Sequence, residues 1–420
     1  MRDITRIPIR VDRLVLVDKA WLANALFCVG IVVSFFVSLH PWFLWDFEVL
    51  ANAFACACLI GAYIVERTLP EPPEVKHSFV LAMLLCGLTR MGLFFVGGGN
   101  FFGFLSVIID LVSFFFIFRA QGAQLRNALA VASRTMAVLL AVSLGAFVLY
   151  FLGRSFPATT IVYGDGAYSL MNFGFFVIQD YDAWQFLPRF QSVFLEPSHM
   201  AVAGVFLLMV DIGHWRRWYN VVMLVAIVVS FSVEAYVLLF LLFFLSKWIM
   251  RKNFVRNIVI LVCLFGGIVA GSFVYNNGDN LLNELIMMRL EVDDGEMAGN
   301  NRTTDSFDAE FEGFLSSSDL FFGREMTELY GNAGYKAFLF QNGLIVSALM
   351  VAFYIVMLYN PKKKRPAVTA AILSFLHYVV RAHMMLSHCF IPMWYMARWF
   401  EYQPSADEAK LIEDEPGEPC

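Results

Sequence analysis

Charge is scarce in this chain: Asp, Glu, Lys and Arg make up only 15% of its 420 residues, while 59% are hydrophobic and 44 are phenylalanine. A soluble domain cannot hide that much apolar surface, so the excess must face lipid, and a wholly soluble protein is excluded. No Cys-x-x-Cys pair occurs among the seven cysteines, Cys28, Cys56, Cys58, Cys86, Cys263, Cys389 and Cys420. Neither a disulfide framework nor a zinc site is therefore indicated. Most of these thiols lie in apolar stretches, where cysteine packs as a small hydrophobe. Internal repeats and low-complexity tracts are also missing, which leaves an inverted-repeat transporter without positive support. The first apolar stretch follows a polar and basic leader and lacks a small-residue cleavage site, so a retained span is expected rather than a signal peptide. The net charge of −5 averages two sides of a membrane and suggests no nucleic-acid partner.

What is present is a succession of apolar segments. A helix needs roughly 20 apolar residues to cross the hydrocarbon, somewhat fewer where the bilayer thins. Spans are predicted near 21–40, 46–66, 78–96, 101–118, 135–153, 193–212, 218–233, 235–250, 257–275, 335–359, 367–386 and 388–401. The expected fold is an all-α, polytopic transmembrane bundle of about twelve spans. It divides into a cytoplasmic segment 1–20, a membrane domain 21–401 and an acidic, solvated cytoplasmic tail 402–420. Orientation follows the Lys and Arg of short loops. Arg2, Arg6, Arg10, Arg13 and Lys19 put the N-terminus inside. Twelve spans then bring Arg119/Arg126/Arg134, Arg216/Arg217, Lys247/Arg251/Lys252/Arg256 and Lys362/Lys363/Lys364/Arg365 to the same side. Both termini are expected in the cytoplasm.

Two regions resist a simple assignment. Ser230, Ser232 and Glu234 interrupt 218–250, which reads as one long helix, two short ones or a re-entrant pair. In 377–401 the polar residues His377, Arg381, His383 and His388 surround a possible tight turn. Two outward segments are long, about 154–192 and 276–334, and the second carries many Asp and Glu, few Arg and no Lys. Gly164-Asp-Gly166 and Gly295 to Asn301 supply turns. Asn283 to Leu290 and Asp305 to Leu315 have the spacing of short amphipathic helices over the membrane mouth.

The segment Arg189-Phe-Gln-Ser-Val-Phe-Leu-Glu196-Pro197-Ser198-His199-Met-Ala201 stands out, because it places ionisable groups at the mouth of a membrane helix. Pro197 suits a first helical turn, where its missing N–H costs nothing. Glu196 before it would sit at the positive helix end, which favours its ionised form. His199 would lie one turn below. Arg189, Arg302 and Arg324 stand in or near the long loops and offer planar forks of donors suited to diphosphate. Each has a plainer reading. The arginines can pair with loop carboxylates or lipid headgroups, Glu196 can be an ordinary acidic helix start, and His199 can be a satisfied structural histidine.

This segment resembles the Arg…Phe-x-Glu-Pro-Ser-x-x-Ala signature of bacterial O-antigen and exopolysaccharide repeat-unit polymerases (Wzy-like), in the membrane family that also holds the O-antigen ligases. Two shorter matches follow in order. Asn301-Arg302 precedes Leu320-Phe-Phe-Gly323, similar to the family's Arg…(Pro/Leu)-Leu-Phe-Gly pattern. Asn332-Ala-Gly-Tyr335-Lys336 through Gln341-Asn-Gly343-Leu-Ile resembles the next helix, which opens on a polar pair and carries a Gly near its middle. Ligases open that helix with His-Asn. Asn332 stands at the His position here, which favours polymerase over ligase. Ser230, Ser232 and Glu234 depart from the family's pattern after the first motif.

The resemblance implies a GT-C-like bundle with two long periplasmic loops in the bacterial inner membrane. It implies a substrate of oligosaccharide joined to undecaprenyl diphosphate, and no cofactor or metal. A sugar hydroxyl of one unit would attack the anomeric carbon of another while the lipid diphosphate leaves. Arginines would stabilise that leaving charge and a carboxylate would take the hydroxyl proton. The implied catalytic residues are Glu196, Arg189 and Arg302. Arg324, His199, Ser198, Asn332 and Tyr335 are the implied substrate contacts. Partners beyond the lipid bilayer would be the chain-length regulator and flippase of the same pathway. Rival readings are ligase-type transfer to another acceptor, a transporter or flippase for a lipid-linked or small polar substrate, and a non-catalytic assembly partner. A metal site at His377, His383 and His388 has poor spacing for one helix face.

Overall fold

A computed structural model describes residues 11–69, 77–164, 166–180, 188–250, 304–326, 334–360 and 364–400, with side chains from 19 onward except at 77–78, 292–293 and 296–297. Between 251 and 303 it describes only scattered positions, among them 292–293 and 296–297; Lys362 is also described. The predicted span at 257–275 lies largely outside these residues, as do the predicted helix at 283–290, the turn at 295–301, Arg302, Asn332 and the tail.

Five long helices come first: α1 (Val11–Val37), α2 (Glu48–Arg67), α3 (His77–Val96), α4 (Phe101–Arg119) and α5 (Gly122–Phe151). Their central stretches are mostly apolar on every side, as expected where one face meets neighbours and the other meets lipid, with Arg90 and Asp110 among the charged exceptions. Seven helical stretches among the described residues are long and apolar enough to cross a membrane. They are 19–37, 42–67, 79–96, 101–119, 122–151, 334–358 and 364–384. The chain is thus a helical membrane protein.

The middle of the chain is built from shorter pieces. α6 (Pro197–Val210) has 14 residues and α7 (Trp218–Val229) has 12. At 1.5 Å per residue they rise about 21 and 18 Å, less than the ~30 Å hydrocarbon core. The ambiguous stretch 218–250 resolves into α7 and α8 (Val233–Ile249), separated by a turn in which Phe231 has a φ of 49°. Ser232 caps α8 by accepting the Ala235 N–H.

The first long loop departs from an all-α reading. Strands β1 (Thr159–Tyr163), β2 (Tyr168–Asn172) and β3 (Val177–Gln179) form an antiparallel sheet in that order, with Tyr163 opposite Tyr168 and Asn172 opposite Val177. Thr-Thr-Ile-Val-Tyr is β-branched and aromatic, which suits a half-buried pleated surface. Gly164 and Gly166, both at positive φ, make the predicted turn. A second, two-residue pair, β4 (Val292–Asp293) and β5 (Glu296–Met297), lies in the later loop. The sheet leads into a buried strap, Phe190 to Leu195, tied to three elements. Phe190 N–H donates to Val229 O, Ser192 O accepts from Val177 N–H, and Trp42 N–H donates to Val193 O.

The predicted amphipathic helix over 305–315 is present as α9 (Asp305–Leu315), capped by Thr304 accepting the Phe307 N–H. Phe307, Phe311 and Phe314 pack with Phe340 of α10 (Gly334–Leu358). α10 breaks at Gly343, with φ 71° and ψ 173°, and the Leu320–Gly323 turn fills the break. Arg324 N–H bonds Phe340 O at 2.7 Å and Ile345 N–H bonds Phe321 O at 3.3 Å, so the turn replaces the ladder the helix loses. A Cβ on Gly343 would stand 2.5 Å from Phe321 O and 2.6 Å from Gly323 N, atoms of the backbone itself. Gly343→Ala is therefore expected to lower stability by about 1–3 kcal/mol, read as a lower melting temperature in detergent. An unchanged melt would contradict the fitted break.

The last described elements are α11 (Lys364–Arg381), a turn over 382–389 that opens with a 3-10 piece at Ala382–Met384, and the seven-residue α12 (Phe390–Met396). The predicted span 388–401 is thus a short helix with a further helical turn at 397–399. Two backbone carbonyls show that it returns to the opposite end of the bundle: Asn360 donates to Arg398 O and Arg126 to Trp399 O.

Candidate functional site

α6, α8 and α11 bring one polar group together at a single end of the bundle. Glu196 is the N-cap residue of α6, in extended conformation, with Pro197 opening the helix behind it. Arg381 is the last residue of α11, and its guanidinium lies between two carboxylates. Its Nη2 meets Glu196 Oε2 at 2.6 Å and its Nε meets Glu234 Oε2 at 3.0 Å. His377, one turn earlier on α11, bonds Glu234 Oε1 through Nδ1 at 2.7 Å. Ser198 donates to Glu196 Oε2 at 2.9 Å, and Arg381 Nη2 also reaches the Ser198 hydroxyl. From the sheet above, Tyr168 donates to Glu196 Oε1 at 2.5 Å.

Both oxygens of Glu196 thus accept from neighbours. Its side chain is 17% exposed, against 7% for Arg381, 7% for Glu234 and 0% for His377. Of the four ionisable members, Glu196 is therefore the one most open to an approach from outside, alongside the partly exposed Ser198 and Tyr168. Burying two carboxylates around one guanidinium is costly unless the geometry is tight. Here each Arg381 contact is within hydrogen-bond distance.

A second cluster adjoins it. His40 follows α1 with a φ of 50°, and its Nδ1 lies 2.7 Å from Glu48 Oε1 and 3.2 Å from the Tyr163 hydroxyl. Burial, and then the Glu48 carboxylate, push the Tyr163 hydroxyl up to about 12, so it remains a neutral donor at ordinary pH. The His40 ring lies 6.2 Å from that of His199, whose Nε2 is 3.9 Å from Glu196 Oε2. His199 is buried and its Nδ1 meets no partner among the described residues.

The predicted site residues therefore divide. Glu196, Ser198 and His199 share the centre. Arg189 stands at the base of the sheet, where Nη2 donates to Gln179 Oε1 at 3.2 Å. Arg324 is held by Asp319 through Nε at 2.9 Å and Nη2 at 2.7 Å, the carboxylate pairing that its plainer reading expected. Tyr335, exposed, opens α10 beside the end of α11. The neighbouring Gly334 sits so close that a Cβ there would be 2.8 Å from Val379 O. Arg302 and Asn332 lie outside the described residues.

The members that sequence patterns did not assign are Tyr168, Glu234, His377 and Arg381. One signal for two of them exists: Glu234 and Arg381 are opposite charges within separate apolar segments, and such groups commonly pair with one another. The sequence also holds an Asp-x-Asp triplet, Asp180-Tyr181-Asp182. Asp180 accepts from the Ser169 hydroxyl and its N–H donates to Ser169 O, while the other two residues lie outside the described set. Among the described residues no group of three His, Cys, Asp or Glu could hold a metal ion. No family model, no curated protein and no solved structure matches the chain.

Proposed function

We propose that this chain is a membrane glycosyltransferase that joins lipid-diphosphate-linked oligosaccharide units, with Glu196 at the reacting centre. The observation that carries this reading is the Glu196–Arg381 pair at the head of α6, buried except along Glu196 itself. A carboxylate held in one place and reachable from one side is positioned to accept the proton of a hydroxyl nucleophile; Arg381 fixes its orientation while holding its basicity down. A further support is that two short sequence matches, Leu320–Gly323 and Gln341–Gly343, form one structural unit at the α10 break.

The step runs as follows. An acceptor sugar hydroxyl displaces Tyr168 or Ser198 from the Glu196 carboxylate. Its oxygen forms a bond to the anomeric carbon of the donor unit while the bond from that carbon to the diphosphate oxygen breaks. The proton passes to Glu196, and the lipid diphosphate leaves carrying the electron pair. Arg381 already faces two carboxylates, so it has little charge to offer the leaving group. That task falls to Arg189 and Arg302, the arginines of the two matched motifs, with Arg324, which pairs with Asp319, the weaker candidate because it stands outside those motif positions.

In this reading the chain crosses the bacterial inner membrane about twelve times. Both termini face the cytoplasm, and the sheet and α9 lie in the periplasm. A cysteine placed at Asp305 is expected to react with an impermeant thiol reagent from the periplasmic side. Reaction only from the cytoplasmic side would overturn the topology and the mechanism together. Arg189→Ala is expected to abolish most polymer formation at normal protein level, with Arg189→Lys intermediate because an ammonium keeps charge but loses the fork. Normal polymer length and yield in both Arg189→Ala and Arg302→Ala cells would remove the diphosphate assignment.

One observation favours a second reading, a transporter or flippase. Besides the Glu196 group, the interior holds another ionic set, Arg90, Asp110 and His388, and intramembrane ionisable chains mark ion and substrate pathways. Cells lacking the chain separate the two. Loss of a polymerase leaves single lipid-linked units on the outer leaflet, whereas loss of a flippase leaves them on the inner one.

A further inference from the structure

The turn that follows Arg381 is gripped by a second ionic network. Asp110 Oδ1 bonds His388 Nε2 at 2.7 Å, and Asp110 Oδ2 pairs with Arg90 Nη2 at 2.6 Å. The same Arg90 nitrogen donates to Leu386 O at 2.9 Å. Tyr354 of α10 donates to Met385 O. Three helices, α3, α4 and α10, therefore hold Met385, Leu386 and His388 of one non-helical stretch. Asp110 is the tenth residue of the 19-residue α4, so about 14 Å of helix lies on either side of it. That is membrane depth. Backbone without a helical ladder survives there only where neighbours satisfy its polar groups, and Arg90 and Tyr354 do so for two carbonyls.

Such a network is weak evidence for stability, since buried ion pairs are often replaceable by apolar residues at no loss. Its better-attested use is to fix one arrangement among several. Arg381 lies four residues before Met385, the first gripped residue, and is joined to it by the short 3-10 turn Ala382–Met384; Ala382, Met384, Met385, Leu386 and Cys389 are all buried. We propose that Arg90, Asp110 and His388 are positioning residues, which hold the 382–389 turn and through it set where Arg381 meets Glu196 and Glu234. The consequence for activity rests on the glycosyltransferase reading, whereas the placement of the turn does not.

The native Cys389 thiol, fully buried at the end of this turn, reports on its opening. The full chain in native membranes is treated with N-ethylmaleimide, and alkylation of the Cys389 peptide is followed by mass spectrometry. Asp110→Asn leaves Arg90 without its counter-charge, and His388→Ala removes the bond to Asp110. Both are expected to raise the Cys389 rate by about tenfold or more. His388→Gln keeps an amide donor for Asp110 and is expected to stay near the parent rate. Polymer yield in the same membranes should fall in Asp110→Asn and His388→Ala and recover in His388→Gln. An unchanged Cys389 rate in Asp110→Asn would overturn the proposal. So would a raised rate with unchanged polymer. A parent chain that makes no polymer sinks the glycosyltransferase reading alone, and the alkylation rates then decide the positioning by themselves.

Discussion

Arg381→Ala is expected to cost about 3–5 kcal/mol of stability, the usual effect of removing one partner from a buried ion pair. The physical reason is that one guanidinium neutralises two carboxylates, Glu196 at 2.6 Å and Glu234 at 3.0 Å. Without it two negative charges remain in a poorly solvated site, where His377, Ser198 and Tyr168 are neutral or weaker donors than a guanidinium. Arg381→Lys should recover only part of the loss, because a single ammonium lacks the separate Nε and Nη2 donors that now serve the two acids. Adding Glu234→Gln to Arg381→Ala removes one of the stranded charges and should restore some stability, a coupling expected for residues in direct contact. Thermal melts in detergent, followed by tryptophan fluorescence, read all three. An Arg381→Ala protein that melts with the parent would show that the guanidinium does not hold these helices together.

The second large effect is on chemistry. Glu196→Gln keeps the size of the side chain and its acceptor oxygen but removes the base. Arg381 retains Glu234 as a counter-ion in this variant, so its stability should fall less than that of Arg381→Ala. If Glu196 takes the acceptor proton, polymerisation should fall by about 10²–10⁴-fold, the usual worth of general base catalysis. Binding of the lipid-linked substrate should persist. A purely structural Glu196 predicts a different pattern, with a modest change in melt and polymer ladders close to those of the parent. A rate above about half the parent's would remove Glu196 from the reacting centre.

The two variants also show which parts of this molecule can be read from local sequence. Glu196 and Pro197 announce the start of α6 because an acid followed by a proline suits a helix mouth, and the helix begins there. The four- and three-residue spacing of Phe307, Phe311 and Phe314 within 305–315 likewise predicts α9, and Gly164 and Gly166 make the turn they predict. Spacing of this kind acts over a few residues. The partner of Glu196 lies 185 residues away and that of Glu234 lies 147 residues away, so no periodicity connects them. What the sequence carries is only that charges in apolar segments need partners.

The sheet was hidden for a different reason. β1 to β3 occupy a stretch between membrane helices where length alone suggests a loop, and β-branched residues such as Thr159 to Val162 are also common in irregular segments. Tyr168 reaches Glu196 only because the sheet folds back over the mouth of α6. Of the candidate arginines Arg189 is nearest to Glu196 along the chain, seven residues before it. Yet the buried strap Phe190–Leu195 turns between them, with Ser192 at a φ of 55°, and Arg189 meets Gln179 instead. Proximity in sequence and in space part company at that turn.

The most direct measurement is a reconstitution. The purified chain is placed in lipid vesicles with lipid-linked repeat units extracted from its own host and no other protein. Polymer length is read on gels and release of the lipid diphosphate by chromatography. The account predicts a ladder of joined units with one lipid diphosphate released per bond formed, and its loss in Glu196→Gln protein that still folds and binds the units. A folded parent chain that binds the units yet forms no ladder and releases no lipid diphosphate would contradict it.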